Sequence, residues 1–423
     1  SNPNINSTYS GPLCGFRDFL FPLIEEAKYI GYLPKVPVFI MLDDADNLPK
    51  SMQRIINSWI SMRVYPQLCL KISTQLGYAT FRTLDNRLIE SPHDFTNIDV
   101  GSIYTNTGNK FNDRITQIVT KRLELAKIDV EPYDFFPKDK RQEEKLERIK
   151  EDIKKEHNDG LTKKGNRSGS KRVQDEITRY AVPRLMRELH DSKSSHTFSY
   201  AGYDSLVNLS SGIIRWFLEP ASAMFDEVLS KDSNACIKEM PVKIQNDVIN
   251  EWSKSFANKL QLLELDDDLP FVDHSDNSLH AIENKDDMAK LHNLITALGG
   301  FFRHRILDQD ASERRVFSIV VRQEVSSSLE KILSLGVRLG YLQKSDYSAK
   351  ELYASRRPRY ILAKRLGPYF NLDISGYAAH LSVTAKHLEI AIKNPDEFVQ
   401  LKTKKTDDDK FGQLEFSLVE EDL

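Results

Sequence analysis

Apolar residues along this chain fall into two patterns, and each predicts a different kind of element. Short apolar runs at Val38–Leu42 and Leu68–Ile72 suit strands buried on both faces, as in a parallel sheet between helices. The second run places Cys69 in the core. Helical spacing of apolar residues predicts helices over Phe16–Tyr29, kinked at Pro22, over Pro49–Met62 and over Lys110–Ile128. A more weakly marked strand is expected near Phe95–Val100. Strand, helix, strand with short connectors is the order of an α/β layer.

The pattern changes at about residue 137. The stretch KDKRQEEKLERIKEDIKKEH carries opposite charges at helical spacing and almost no apolar face, so it predicts an exposed helix held by i,i+4 pairs. The Gly/Ser/Lys-rich NDGLTKKGNRSGSKR that follows reads as a mobile connector. Helices resume over Glu176–His190, Leu206–Leu229 and Val242–Leu263, and the acidic LELDDDLPFVDHSDNS closes this region as a linker. Beyond it, Met288–Ile306 predicts an amphipathic helix, Val316–Val321 a strand and Ser327–Leu339 a helix. Gly340 sits at the expected helix C-terminus. A basic, strand-like segment follows at Arg356–Leu366. Helix, strand, helix and basic hairpin is the order of a winged-helix unit.

Composition adds bounds. A chain of 423 residues exceeds one ordinary core, so two or three successive domains are expected. Charged residues make up 29% of it and the net charge is only −3, so local patches and not overall charge must decide on nucleic acid. No apolar run of about 18 residues predicts a membrane span, and no basic-then-apolar leader opens the chain. Cys14, Cys69 and Cys236 lack paired spacing, which favours buried thiols in a reducing cytoplasm over metal or disulfide frameworks. The chain opens on Ser with a helix expected by Phe16, which suggests a start partway into a domain.

The sharpest chemical signal is Val38-Phe39-Ile40-Met41-Leu42-Asp43-Asp44-Ala45-Asp46-Asn47-Leu48. An apolar strand ending in paired carboxylates sets them at the C-terminal edge of a parallel sheet, where ligands bind in open α/β folds. The block resembles the Walker B motif of AAA+ ATPases, hhhhDExDxL, with Asp44 where the family usually has Glu. By that resemblance Asp43 holds Mg²⁺ and Asp44 orients or deprotonates the attacking water. Asp is one methylene shorter than Glu, which suggests slowed hydrolysis.

Two further segments extend the resemblance. Leu68–Ile72 ends in Ser73-Thr74, the sensor 1 position, where either hydroxyl reaches the γ-phosphate or the lytic water. Asn208-Leu209-Ser210-Ser211-Gly212-Ile213-Ile214-Arg215-Trp216-Phe217-Leu218 is similar to the lid motif of the origin-recognition family, roughly GxxRxxL. Ser210 or Ser211 is expected to cap that helix. Arg215 then takes the place of sensor 2, whose planar guanidinium suits phosphate. Arg82 and Arg87 are arginine-finger candidates by position alone. The phosphate-binding GxxxxGK[ST] does not occur in the sequence. Either such a loop lies upstream of Ser1, the favoured reading, or the chain is a degenerate module.

The resemblance therefore implies α/β plus all-α architecture: a partial AAA+ P-loop NTPase domain at 1–130, a helical lid with a charged insert at 131–280, and a C-terminal winged helix and tail at 281–423. It is closest in flavour to the bacterial branch of the origin-recognition (ORC/CDC-type) family. It implies ATP and Mg²⁺ as ligands and a switch acting on double-stranded DNA or a DNA-bound partner. Arg356, Arg357, Arg359, Lys364 and Arg365, set around Tyr360 and Tyr369, are the expected phosphate contacts. Lys331 and Arg338 are candidate groove contacts, Arg303, Arg305, Arg314 and Arg315 form a second cluster, and Lys163, Lys164, Arg167, Lys171 and Arg172 a basic loop. A homo-oligomer or partner protein, no membrane and a cytoplasmic location complete the expectation. Two alternatives stay open: a non-hydrolysing scaffold that recruits DNA or protein, and a defence-type signalling ATPase that does not bind DNA.

Overall fold

A computed structural model describes residues 15–62, 68–74, 78, 80–98, 110–158, 169–192, 197–233, 236–264, 285–309, 311, 315–347, 357–375 and 379–403. The chain divides into two compact units, residues 1–99 with 276–280, and residues 100–275 with 281–423.

In the first unit, helix α1 (Phe21–Tyr29) precedes strand β1 (Val38–Leu42), helix α2 (Lys50–Ser61) and strand β2 (Leu68–Ile72). The helical run expected over Phe16–Tyr29 is continuous: a π-turn over Phe16–Leu20 passes directly into α1, and Pro22 lies just after that change of helix type. The strands pair in parallel with Val38 opposite Leu68 and Leu42 opposite Ile72. They are not buried on both faces. Phe39 and Met41 are 50% and 78% exposed, and Cys69, opposite Phe39, is exposed rather than in the core. Side chains alternate across a strand, so one face of this ribbon is packed and the other is open. Among the described residues of the unit, Ile24, Ala45, Ile56, Leu68 and Ile89 are the buried apolar ones, and Phe16 stacks on Trp59 at 4.8 Å. Phe95–Ile98 form no strand, and residues 99 and 100 lie outside the described set. A bridge between Arg82 and Leu88 closes a short hairpin instead.

The second unit begins with α3 (Lys110–Leu125), the short α4 (Pro132–Phe135), α5 (Lys140–Asn158) and α6 (Gly169–Asp191). The charged helix α5 does have an apolar seam. Leu146, Ile149 and Ile153, at i, i+3 and i+7, pack with Ile177, Ala181 and Leu185 of α6 in a small core of their own. Ion pairs Arg148–Glu188 (3.2 Å) and Arg184–Glu156 (2.8 Å) and a hydrogen-bonded His157–Glu176 contact (3.1 Å) line the antiparallel pairing. The expected helix Leu206–Leu229 is broken into α7 (Tyr203–Leu209) and α8 (Ile214–Lys231). Ser211 (φ 51°) and Gly212 (φ 83°) are both left-handed, and two such residues in succession turn the chain out of the helix.

After α9 (Val242–Glu264), α10 (Lys285–Leu307) leads to β3 (Val316–Val321), α11 (Ser327–Arg338), β4 (Leu342–Tyr347) and β5 (Arg357–Leu362). Ser326 caps α11 by accepting from the Leu329 N–H, and Gly340 (φ 79°) ends it. The Tyr341 N–H donates to the Gly336 carbonyl at 2.9 Å and the Gly340 N–H to Val337 at 3.1 Å, closing the helix end as expected. A turn at Lys364–Leu366, α12 (Gly367–Phe370), β6 (Ala379–Val383), α13 (Ala385–Ala391) and α14 (Pro395–Thr403) complete the described chain. The sheet order is β4-β5-β3-β6, with β6 parallel to β3 and the other pairs antiparallel. β3 is buried along its whole length. One apolar core runs from Ile115 of α3 to Phe398 of α14, so the helices of the middle region and the C-terminal sheet are packed as a single body.

Candidate functional site

β1 ends at Leu42 and β2 at Ile72, and their parallel register carries Asp43 and Ser73 to the same sheet edge. The ladder runs one step further, with the Ser73 N–H donating to the Leu42 carbonyl at 2.9 Å and the Ala45 N–H to the Ser73 carbonyl at 2.9 Å. The Ser73 hydroxyl donates to Asp43 Oδ1. The Asp44 N–H points at the same pair, 3.1 Å from Asp43 Oδ1 and 3.1 Å from Ser73 Oγ. Thus the two positions that sequence placed thirty residues apart form one polar knot. Thr74, beside it, makes no such bond, and Asp43, Asp44, Ser73 and Thr74 are all exposed.

The turn beyond the strand is held from below. Asp44 is left-handed (φ 50°, ψ 43°), and a single 3-10 turn over Ala45–Asn47 follows with Ala45 and Asp46 buried. Gln53 of α2, fully buried, donates to the carbonyls of Ala45 (3.0 Å) and Leu48 (3.1 Å). Sequence reasoning passed over Gln53, a polar residue on the buried face of an otherwise ordinary amphipathic helix. Asn57, one turn on, donates to the carbonyls of Thr80 and Arg82. Arg54 holds the next hairpin through Thr83, Leu84 and Asn86. Arg82 donates to the Asn86 carbonyl and Arg87 is exposed on that hairpin. The hairpin also holds Asp85, whose carboxyl is lowered first by the Thr83 hydroxyl bond and then by backbone and arginine charges.

A carboxylate with a hydroxyl beside it is a hard-oxygen set of the kind that suits Mg²⁺, which keeps several waters and takes one or two carboxylates plus phosphate oxygens. Asp43 fits that need. No group of three or more His, Cys, Asp or Glu capable of holding a metal by itself occurs among the described residues.

Arg215 lies in the first turn of α8 and is exposed. Neither serine caps that helix. Its N-cap is Ile213, while Ser210 ends α7 and Ser211 turns away to accept from the Lys364 N–H at 3.3 Å. The left-handed pair at Ser211 and Gly212 carries both hydroxyls out of capping position.

The basic C-terminal segment is less available than its sequence suggests. β5 stops at Leu362, and the chain then dives toward the middle-region helices instead of continuing as a solvated strand. Arg365 is buried at 9% exposure, and its guanidinium lies 3.9 Å from the Trp252 ring centre and 4.4 Å from Phe256. That placement removes it from the surface set. Lys364 is half-buried, and burial pushes its ammonium down to about 8. Arg359 is half-buried on the sheet, where its Nε–H donates to Ser318 Oγ at 2.9 Å. The backbone of Arg357 pairs with Tyr347, and Arg356 lies outside the described residues. Lys331 pairs with Asp287 at 2.6 Å. The second cluster disperses into internal contacts: Arg303 donates to the Asn371 carbonyl at 2.8 Å and Arg315 pairs with the buried Asp373 at 2.5 Å. Arg314 and the basic loop residues Lys163, Lys164 and Arg167 lie outside the described residues. Among the described residues no helix is long and apolar enough to cross a membrane.

A mixed α/β chain with parallel strands, a carboxylate pair at their C-terminal edge and a strand-end hydroxyl bound to the first carboxylate has the features of an AAA+-like protein. The family model described as ORC-CDC6-like matches residues 1–383, and the chain belongs to that family. It is thereby related to ORC/CDC6-type AAA+ ATPases. No curated protein and no solved structure matches it significantly.

Proposed function

We propose that this protein is a Mg²⁺- and ATP-dependent AAA+ switch. The observation that carries this reading is the Ser73–Asp43 hydrogen bond at the shared edge of two parallel strands. It joins two of the residue types that a nucleotide site of this class uses, a metal-binding carboxylate and a strand-end hydroxyl, at the sheet edge where such ligands bind. Asp43 is the Mg²⁺ ligand, and a bound cation there supplies charge neutralisation for phosphate oxygens. Asp44 orients the attacking water from its left-handed turn. Ser73, already turned toward Asp43, is the better placed of the two hydroxyls to sense the γ-phosphate. Arg215 offers a bidentate guanidinium from the start of a helix, with no ion pair to the described residues.

The functional division that supports this reading is an α/β part, a helical lid carrying Arg215, and a C-terminal winged helix. The order α10, β3, α11, β4, β5, with β4-β5-β3 adjacent in a sheet that β6 extends, supports a winged-helix reading with one helix between its first two strands. DNA is the ligand that the family resemblance favours for it. A second reading has one specific observation in its favour. Lys364 and Arg365 turn inward onto the lid, as in a winged helix used as an internal clamp by a signalling ATPase that does not bind DNA.

The test is ATP binding and turnover by the full-length protein beside Asp43→Ala and Arg215→Ala variants. Magnesium-dependent turnover that both variants lose supports the switch. Full-length protein that binds no ATP leaves only a scaffold. Salt-dependent binding to duplex DNA, with a slope that falls in an Arg359→Ala variant, separates the DNA switch from the clamp.

A further inference from the structure

The helix that carries Arg215 is anchored by the C-terminal module more than by its own cap. α8 has no side-chain cap, and the turn before it is held from the C-terminal sheet. Gln343 of β4 donates to the Ser211 carbonyl at 3.0 Å, and the Lys364 N–H donates to the Ser211 hydroxyl at 3.3 Å. The next residues of α8 then meet Arg365. Trp216 lies 5.7 Å from its guanidinium, and Glu219, one turn on, approaches it at 3.5 Å.

Arg365 completes this contact from three sides. Trp252 and Phe256 of α9 cover the guanidinium faces, and Tyr341, just before β4, stacks on Phe256 with ring centres 4.3 Å apart. The Tyr341 hydroxyl donates to the Phe256 carbonyl and the Ser253 hydroxyl to the Arg365 carbonyl, at 2.9 and 2.7 Å. Glycine suits position 340 because its φ of 79° is one that L side chains rarely adopt, and a Cβ there would crowd the Trp216 ring at 3.2 Å. A flat cation fits between aromatic faces where an ammonium would leave gaps. Successive helix residues are about 100° apart, so Trp216 faces the cage while Arg215 faces solvent.

We propose that Arg365 is a positioning residue: by locking Trp216 and Glu219 to the root of the β4–β5 hairpin, it sets the direction of Arg215 and transmits movement of that arginine to the hairpin. The coupling to nucleotide rests on the reading of Arg215 as a phosphate sensor, whereas the clamp itself does not. A rigid connection of this kind makes the two ends of the lid–sheet unit move together, as a two-state element must.

Hydrogen exchange on the full-length protein tests it, comparing wild type with Arg365→Met, Arg365→Lys and Ile149→Ala. Arg365→Met keeps the volume and loses the cation, so exchange should rise about tenfold or more in residues 211–218 and in both hairpin strands together. Arg365→Lys should restore part of the protection. Ile149→Ala, which weakens a separate core, should leave both segments unchanged. A rise confined to one of the two segments, or an equal rise with Ile149→Ala, overturns the proposal. In an enzyme that turns over ATP, Arg365→Met should lower kcat about tenfold with KM little changed. Wild-type protein without turnover removes the sensor role of Arg215 and leaves the exchange pattern to decide the clamp.

Discussion

Replacing Ser73 by Ala separates stability from chemistry at the strand edge. The hydroxyl donates to Asp43 and accepts from the Asp44 N–H at 3.1 Å, and all three residues are exposed. A net hydrogen bond contributes about 0.5–1.5 kcal/mol, and exposed partners recover most of it from water, so the stability loss should stay below about 1 kcal/mol. The effect on turnover should be far larger. Removing one preorganised donor from a reacting phosphate site costs about 10²–10³ in rate, or about 3–4 kcal/mol, and Asp43 also loses the partner that orients it. Thr74→Ala is the matched control, since Thr74 takes no part in the knot. It should change turnover no more than about threefold, the scale of an ordinary surface substitution. Thermal melts and steady-state MgATP hydrolysis by full-length protein read both quantities. The reverse ranking, with Thr74→Ala crippling and Ser73→Ala mild, would refute the geometric choice between the two hydroxyls.

Further outcomes follow from the second unit. Tyr200, 1% exposed, donates its hydroxyl to the Leu372 carbonyl at 2.9 Å, with the Gly367 carbonyl, which also accepts from the Leu372 N–H, at 3.3 Å, so Tyr200→Phe should cost about 1–3 kcal/mol in urea melts by stranding the Leu372 carbonyl. A loss below that range would mean that the Leu372 carbonyl finds another donor. Ile149→Ala should cost about 2–5 kcal/mol and speed exchange through the α5–α6 hairpin while the main core stays protected. The Lys364 ammonium titrates near 8, below its ordinary value, because burial disfavours the charge. The unfolded chain therefore binds more protons between about pH 8 and the ordinary lysine range, and stability should rise with pH across that window. Lys364→Met should remove that rise relative to wild type, and parallel pH profiles for the two proteins would count against it.

Local order was readable wherever one pattern dominated. The runs at β1, β2 and β3 each gave strand bounds that the structure repeats, and Gly340 marked a helix end through its tolerance of positive φ. Reading failed where two signals overlapped. In α5 the charges hid Leu146, Ile149 and Ile153, although their spacing was that of a seam. In Leu206–Leu229 the apolar periodicity ran straight through Ser211 and Gly212, whose left-handed turn is stabilised by Gln343 and Lys364 from more than a hundred residues away. The short β6 gave no run to read and forms by pairing with β3.

The sequence by itself determined the strand that ends in Asp43 and Asp44, the order of elements and the resemblance to ORC/CDC6-type proteins, because these depend on neighbours within a few residues. Only the tertiary structure decided that Ser73 and not Thr74 meets Asp43, since that choice depends on the register of two parallel strands. It also decided that Arg365 is an interior cation and not a surface one. A basic residue after a strand reads the same whether the chain goes on into water or turns into a cage of aromatic rings, and only the packing of distant helices separates the two.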